Sequence, residues 1–229
     1  MCSTLSPWNG IETECADTDA SIHVQPMNGC LIVFEGPDAV GKSTLVKSLQ
    51  SVLRNAGVPT EYLSFPGDRP GTLGKLVYDI HHSPSQFGIS NISPISLQAL
   101  HIAAHLDAIF QNIIPALTVG TWVVLDRFWW STWVYGTADA VEPRALNSLI
   151  EAEKLLWGKF KPSVVFLVER SSPLRDGEQT KLFLKLSALY KELCSAERDK
   201  YPVIELANME LESAQTLITQ WVNERIPKK

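Results

Sequence analysis

The sequence predicts a three-layer α/β/α fold built on a five-stranded parallel sheet. Five short apolar runs alternate with longer segments in which apolar residues recur every three or four positions, as in strands that alternate with helices. Continuous apolar strands of this kind form parallel sheets that helices cover on both faces. The chain has 229 residues, 45% of them hydrophobic, so it can bury the core that one large domain needs.

The predicted elements follow one another along the chain. The β-branched and apolar runs predict strands at Cys30–Phe34, Glu61–Phe65, Thr121–Leu125, Ser163–Val168 and Pro202–Leu206. The periodic segments predict helices from a glycine loop to Ala56 and at Leu73–His81, Ile95–Leu117, Trp129–Gly136 (a helix or turn), Pro143–Trp157, 178–196 and 210–226. Residues 82–94 and 169–177 are predicted loops, and Pro115 lies near the end of the long third helix, where a break costs little.

The composition argues against several partners and locations for this protein. The net charge of −5 argues against nucleic acid or an anionic membrane as a partner. No apolar run approaches the ~20 residues that span a bilayer, and the acidic N-terminus lacks a secretory signal, so we expect a cytoplasmic protein. Four cysteines without CxxC spacing favour neither a zinc site nor a disulfide framework. Residues 1–27 predict an extension, partly ordered at best, ahead of a single domain at 28–229.

The stretch after the first strand is typical of a loop that binds nucleotide phosphates. It fits the GxxxxGK[ST] pattern between a strand and a helix with Gly36, Pro37, Asp38, Ala39, Val40, Gly41, Lys42, Ser43 and Thr44. Glycines let backbone N–H groups turn toward an anion, and the helix start adds partial positive charge. Lys42 would reach the β- and γ-phosphates, and the Ser43 hydroxyl is a ligand for Mg²⁺. The loop predicts a P-loop NTPase fold that binds a nucleotide such as ATP with Mg²⁺.

Charged residues at other strand ends predict phosphoryl transfer. Asp126 and Arg127 close the third strand, either as a simple ion pair or with Asp126 near Mg²⁺ and Arg127 clamping a phosphate. Two anionic substrates must be brought together in phosphoryl transfer, so more than one cation is expected. Lys42, Arg127 and Arg69 come from three different strand ends.

A short loop near 169–178 is a candidate lid. Arg170 and Arg175 lie in it; they are either simply solvated or supply positive charge when the lid closes over ATP. Asp38, inside the glycine loop, is either a surface carboxylate or an acceptor for a sugar hydroxyl.

Clustered tryptophans and a histidine pair could serve either in packing or in contact with a nucleobase. Trp129, Trp130 and Trp133 predict core packing or a dimer surface, with a stacked wall for a base as the alternative. His101 and His105 are four apart and share a helix face. They predict packing on that face or contact with a nucleobase, and zinc ligation lacks further ligands.

The opening motif resembles that of thymidylate kinases. Phe34-Glu35-Gly36-x-Asp38-x-x-Gly41-Lys42-Ser43-Thr44 is similar to the family's FEGxDxxGKST. Three further segments agree in order: Phe65-Pro66 with Arg69 and Thr72–Leu76 resembles FPER…IGKLI, Asp126–Tyr135 resembles DRYxxSxxAY, and Glu178 to Tyr190 resembles the helix after the lid. The resemblance covers roughly residues 30–226.

The resemblance implies roles for particular residues. Asp38 would bind the acceptor's 3′-hydroxyl, Arg69 and Arg127 its phosphate, and Tyr135 its deoxyribose. The whole acceptor site would be Asp38, Phe65, Arg69, His101, His105, Arg127, Ser131, Thr132 and Tyr135. Ala39 and Val40 put no basic residue in the glycine loop, which is similar to members whose catalytic arginines lie in the lid, here Arg170 and Arg175.

The chain departs from the family's pattern where the base would bind. His101 and His105 stand where the family has a Phe that stacks on thymine and an Arg that bonds its O4, and Gly136 stands where a Gln is common. These departures leave open which base the acceptor carries.

The resemblance and the motifs together predict a kinase that uses ATP and Mg²⁺ to phosphorylate a deoxynucleoside monophosphate. The first substrate to test is dTMP. The expected partners are small nucleotides and a second copy of the chain in a homodimer. One alternative is a deoxynucleoside kinase, which needs a carboxylate base where this chain has Phe65-Pro66. The other is a regulatory protein that binds nucleotides without turnover.

Overall fold

The computed structural model describes residues 29–174, 180–208 and 210–226. The strands are β1 (Leu31–Glu35), β2 (Thr60–Ser64), β3 (Trp122–Asp126), β4 (Val164–Glu169) and β5 (Val203–Ala207). The helices are α1 (Lys42–Asn55), α2 (Leu73–His82), α3 (Pro94–Ala108), α4 (Ile114–Thr118), α5 (Trp129–Ala138), α6 (Pro143–Trp157), α7 (Thr180–Glu197) and α8 (Leu211–Asn223). The predicted N-terminal extension, residues 1–27, lies outside the described residues.

The sheet confirms the predicted fold class. Its five strands are all parallel, in the order β2-β3-β1-β4-β5. The chain therefore leaves central β1 toward one side of the sheet and later returns to its other side. In open parallel sheets a ligand crevice forms outside the carboxyl ends of the strands where the order reverses in this way. Here that place is the end of β1, between β3 and β4.

Two apolar layers bury the sheet. Side chains of β1 alternate, so that Leu31 and Val33 join one layer while Ile32 and Phe34 join the other. The first layer includes Leu125, Trp130, Ile150, Leu186 and Tyr190. The second includes Leu45, Leu49, Val124, Phe166 and Ile218. Both layers are continuous across the central strands, which holds the strand ends in fixed relative positions.

The prediction of one long helix at Ile95–Leu117 is wrong, because the structure divides this segment. The structure has α3 up to Ala108, a π-helical turn at Ile109–Ile113 and then α4. Pro115 falls in the first turn of α4, where its missing N–H is not needed. The wider turn before it changes the hydrogen-bonding register, which periodicity alone does not reveal. The predicted loop 82–94 also contains a short 3₁₀ helix at Pro84–Phe87.

The tryptophans pack in the core. Trp129 and Trp130 are buried in the first layer, and Trp133 is partly buried against it. Core packing is thus the role of this cluster, because none of the three lines the cavity described below. Among the described helices, none is both long and apolar enough to cross a membrane.

The two faces of α7 give a matched test of this packing. Leu186 is 4% exposed, whereas Leu184 on the same helix is 54% exposed. We expect Leu186→Ala to lower the free energy of unfolding by about 2–5 kcal/mol, because it leaves a cavity in the first layer. Leu184→Ala should stay within about 0.5 kcal/mol. Urea unfolding followed by circular dichroism measures both, and equal losses would contradict the assigned orientation of α7.

Candidate active site

The glycine loop has the backbone geometry of an anion site. Gly36 and Gly41 have φ of 137° and 93°, a region that favours glycine. A Cβ at Gly36 would lie 2.3 Å from the Val168 carbonyl oxygen, and one at Gly41 would lie 2.5 Å from Asn208 Nδ2. Gly41 is the N-cap of α1 and has no side chain to cap the helix. The first N–H groups of α1 are therefore available to a phosphate.

Two hydrogen bonds connect the glycine loop to segments that follow β4 and β5. The Asn208 amide, just after β5, donates to the Val40 carbonyl oxygen at 2.6 Å. The Leu174 N–H donates to the Ala39 carbonyl oxygen at 2.8 Å. These bonds hold the glycine loop against the segment after β4 and the end of β5. Sequence reasoning missed Asn208, which belongs to no motif.

Lys42 is buried and directed into the loop. Its Nζ donates to the carbonyl oxygens of Gly36 at 2.8 Å and Pro37 at 2.6 Å. Burial lowers the pKa of Lys42 to about 8, and the positive charge of Arg127 acts in the same direction. The carboxylates of Asp126, Asp38 and Glu35 act in the opposite direction, and a bound phosphate would add further negative charge that favours the ammonium.

Ser43 and Asp126 fit a magnesium ion. The Ser43 hydroxyl donates to Asp126 Oδ2 at 3.2 Å. Asp126 Oδ1 is buried and has no hydrogen-bond partner in the described part of the chain. Mg²⁺ usually takes one or two protein oxygens and completes its shell with water and substrate phosphates. Ser43 and Asp126 offer two oxygen ligands of this kind.

Arg127 is the centre of a second cluster, which includes Asp38 of the glycine loop. Its guanidinium donates to Asp38 Oδ1 and, at 3.0 Å, to the Ser131 hydroxyl. The Tyr135 hydroxyl donates to Asp38 Oδ2 at 2.6 Å. Burial alone would lower the pKa of Arg127, but Tyr135 and Asp38 raise it well above its ordinary value. Arg127 therefore stays a cation, facing the acidic side chain of the phosphate loop.

The backbone of Arg127 is held in a rare conformation. Its φ is 75°, in the left-handed region that costs a residue other than glycine of the order of 1 kcal/mol or more. The Arg127 N–H donates to the Phe34 carbonyl oxygen of β1 at 2.9 Å, which ties the turn after β3 to the neighbouring strand. Strain of this kind persists where surrounding structure fixes it, as at binding sites.

Glu35 is a site residue to which sequence reasoning assigned no role. The end of β1 buries it completely. Its carboxylate accepts the N–H groups of Phe128 at 2.7 Å and Ser131 at 3.0 Å, and the hydroxyls of Ser131 at 2.8 Å and Tyr190 at 3.2 Å. Burial raises the pKa of Glu35 to about 7. Because Phe128 is the N-cap of α5 and has no polar side chain, Glu35 supplies that cap from another strand.

One cavity of about 670 Å³ connects these groups. The glycine loop, α2, α3 and α5 form its walls. Predicted residues that line it are Asp38, Ala39, Gly41, Lys42, Ser43, Thr44, Phe65, His101, His105, Asp126, Arg127, Ser131, Thr132 and Tyr135. The structure thus brings together most of the side chains that the sequence singled out from separate segments.

The histidine pair lies on the α3 wall of the cavity. His105 is buried, and its ring stacks on Phe65 with centroids 4.0 Å apart. His105 Nδ1 lies 2.8 Å from Glu153 Oε2, and the other oxygen of Glu153 accepts from Trp157 Nε1 at 3.1 Å. Glu153, on α6, is a second residue that the sequence did not reveal.

His101 has a different environment. Its Nε2 lies 3.2 Å from Nδ1 of His81 on α2. Burial lowers the pKa of His101 to about 3, and the neighbouring histidines and Arg127 act in the same direction. His101 therefore faces the cavity as a neutral imidazole at physiological pH.

Two predicted arginines have partners outside the cavity, and a third is not among the described residues. Arg69 does not line the cavity; it donates to the Tyr62 carbonyl oxygen at 2.9 Å and lies 3.7 Å from the carboxylate of Glu61. Arg170 donates to the carbonyl oxygens of Asn208 and, at 3.3 Å, Ser172. Arg175 lies outside the described residues. Binding roles for these three arginines stay predictions.

Comparison with known proteins agrees with this geometry. A family model described as thymidylate kinase matches residues 34–218. The thymidylate kinase of Bradyrhizobium sp. (strain ORS 278) is 27% identical over 226 residues, which covers 91% of this chain and 96% of that protein. The thymidylate kinase of Nitrosospira multiformis is 29% identical, with 82% and 94% covered. That of Cutibacterium acnes is 35% identical, with 54% and 58% covered. The match spans the glycine loop, the Arg127 cluster and the helices between them, so the chain belongs to the thymidylate kinase family.

Proposed function

We propose that this protein transfers the γ-phosphoryl group of ATP to dTMP, giving dTDP and ADP. The observation that carries the proposal is the single cavity that joins the phosphate loop to the Asp38–Arg127–Tyr135 cluster. A nucleotide kinase needs two anionic substrates to meet end to end, with cations on both sides of the transferred group. The family of the chain favours neither a deoxynucleoside kinase nor a protein without turnover.

The donor side uses the loop and α1. Backbone N–H groups of the loop and the start of α1 would bind the β- and γ-phosphates, and Lys42 would exchange its two carbonyl partners for phosphate oxygens. Ser43 and Asp126 would hold Mg²⁺, which neutralises charge that develops on the phosphates. The lid residues Arg170 and Arg175 stay candidates for added positive charge over ATP.

The acceptor side uses Arg127 and its neighbours. The guanidinium would bind the phosphate of dTMP with its planar fork, and the carboxylate of Asp38, beside Tyr135, would accept the 3′-hydroxyl of the sugar. The attacking phosphate oxygen is already anionic, so no general base is required. Glu35 and Ser131 position Arg127: Glu35 holds the start of α5, and the Ser131 hydroxyl bonds the guanidinium.

A homodimer and a cytoplasmic location stay predictions. Exposed apolar side chains outside the cavity include Phe110, 65% exposed, and Leu155, 72% exposed, which supports a further contact surface. Sedimentation equilibrium decides the oligomeric state.

The substrate assignment is tested by ADP release with ATP and a panel of acceptors: dTMP, dUMP, dCMP, dAMP, dGMP and thymidine. We expect dTMP to give the highest kcat/KM. Preference for thymidine would favour a nucleoside kinase, and ATP binding without ADP release from any acceptor would favour a protein without turnover.

Arg127→Ala should separate catalysis from ATP binding. We expect kcat/KM for dTMP to fall about 10³-fold, because the variant loses a charged contact to the reacting phosphates. The Kd for ATP, measured by calorimetry, should change less than about threefold. Arg144→Ala, an exposed position on α6, is the matched control and should leave both values unchanged. Undiminished turnover in Arg127→Ala would remove Arg127 from the acceptor site.

Asp126→Asn tests the metal assignment. We expect the Mg²⁺ concentration for half-maximal activity to rise at least about tenfold, because an amide lacks the charge that holds the ion. Asp199→Asn, exposed after α7, is the control. A Mg²⁺ dependence that does not change in Asp126→Asn would show that Asp126 does not serve the metal.

A further inference from the structure

The helix α3 presents a polar face to the cavity. Gln98, His101 and His105 are three and four residues apart, so they share one side of the helix, and all three line the cavity. His101 and His105 were predicted site residues, but Gln98 belongs to no motif in the sequence. A buried glutamine on the wall of a substrate cavity needs a physical explanation.

Gln98 has unused hydrogen-bonding capacity. The residue is 3% exposed, and its Oε1 is buried without a partner among the described residues. Thr132, on α5, lines the same cavity, is 2% exposed, and also has a buried oxygen without such a partner. An unsatisfied buried polar group costs about 1–3 kcal/mol, and most native buried groups are paired. Two such groups line one cavity, where a bound ligand could supply the missing partners.

The neighbouring side chains of α3 are engaged elsewhere. His101 contacts His81, and His105 is held by Glu153 while it stacks on Phe65. The amide of Gln98 thus differs from both histidines, because no contact within the described protein fixes its side-chain oxygen.

Gly136 on α5 lies beside the side chain of Gln98. A Cβ at Gly136 would lie 3.4 Å from Gln98 Cγ and 2.7 Å from Leu146 Cδ1. A Cβ at position 136 would therefore overlap with Leu146 and pack tightly against Gln98. The amide of Gln98 on α3 thus lies next to Gly136 on α5, which has no side chain.

The bound nucleotide would place its base against this wall. This step rests on the proposed function, in which Arg127 binds the acceptor phosphate and Asp38 with Tyr135 binds the sugar. With those parts at the glycine loop and the start of α5, the walls left for the base are α2 and α3 together with Thr132, and among these Gln98 and Thr132 carry buried oxygens without a partner in the described residues.

We propose that Gln98 is a specificity-determining residue, whose amide makes paired hydrogen bonds to the N3–H and an adjacent carbonyl of a 2,4-dioxopyrimidine base. A carboxamide carries an acceptor and a donor side by side, which matches the donor and acceptor of that base edge. Rotation about its last side-chain bond, a broad and roughly two-fold torsion, turns the oxygen toward the N3–H. A site built around such bonds rejects a ligand that cannot make them, because its own buried groups stay unpaired.

The test compares dTMP with its 2,4-difluorotoluene isostere, which has the same shape but neither the N3–H nor the carbonyls. For the wild type we expect kcat/KM to be at least about 100-fold lower with the isostere. In Gln98→Met, which keeps the side-chain length without the amide, kcat/KM for dTMP should fall about 10–100-fold. The preference for dTMP over the isostere should then shrink at least about tenfold. Gln111→Met, an exposed position on the π-helical turn, should change neither value.

Calorimetric binding of both nucleotides is measured alongside turnover. A preference that is the same in Gln98→Met and wild type would overturn the role of Gln98 while leaving dTMP kinase activity intact. Wild type that turns over only another nucleotide would instead overturn the proposed function, and the binding ratio would still report on Gln98. If Gln98→Met does not fold, equal binding of dTMP and the isostere by wild type overturns the proposal by itself.

Discussion

A buried carboxylate at the end of the central strand connects the two halves of the site. Glu35 is followed directly by the phosphate loop, and it accepts four hydrogen bonds from Phe128, Ser131 and Tyr190. An ionised carboxylate in the interior is costly unless such donors surround it. The raised pKa of Glu35 records that cost. The same bonds fix the start of α5, and through it the side chains of Ser131, Thr132 and Tyr135, relative to the loop.

The two principal cations are held by protein groups that phosphates can replace. Lys42 is bonded to two loop carbonyls, and Arg127 is bonded to Asp38 and Ser131. These partners satisfy the hydrogen-bonding groups of the two cations before substrates arrive. The lowered pKa of Lys42 shows that its charge is not fully compensated by them. Phosphate binding would therefore strengthen the charged form, which couples the ionisation of Lys42 to the presence of the donor.

The parts of the site that follow local rules could be predicted from the sequence. Apolar runs place the strands, and the glycine loop with Lys42 depends on residues that are close in the chain. Arg127 was found because charge at the end of a buried strand is unusual. By contrast, Glu35 with Ser131, and His105 with Glu153, are 96 and 48 residues apart. No periodicity encodes such contacts, because they depend on how α5 and α6 pack.

Patterns of neighbouring residues in the sequence also do not predict the direction in which a side chain points. Arg69 follows β2 as expected, yet its guanidinium turns to Glu61 and Tyr62. No motif in the sequence distinguishes Gln98, and its burial results from the packing of α3 against α5. Both cases depend on which neighbour offers a partner at hydrogen-bond distance, and that is a property of the assembled layers.

The cavity therefore combines two kinds of recognition. On the side proposed to bind phosphates, the contact with Asp38 and the backbone conformation of Arg127 hold its guanidinium in place. At the α3 wall, His101 is neutral and His105 is fixed by Glu153, so no exposed full charge is needed there to hold a base. Neutral donors and acceptors discriminate by geometry, since a mismatch leaves a buried group unpaired. In the proposed function, α3 would hold the base through neutral groups while Lys42 and Arg127 would position the phosphates.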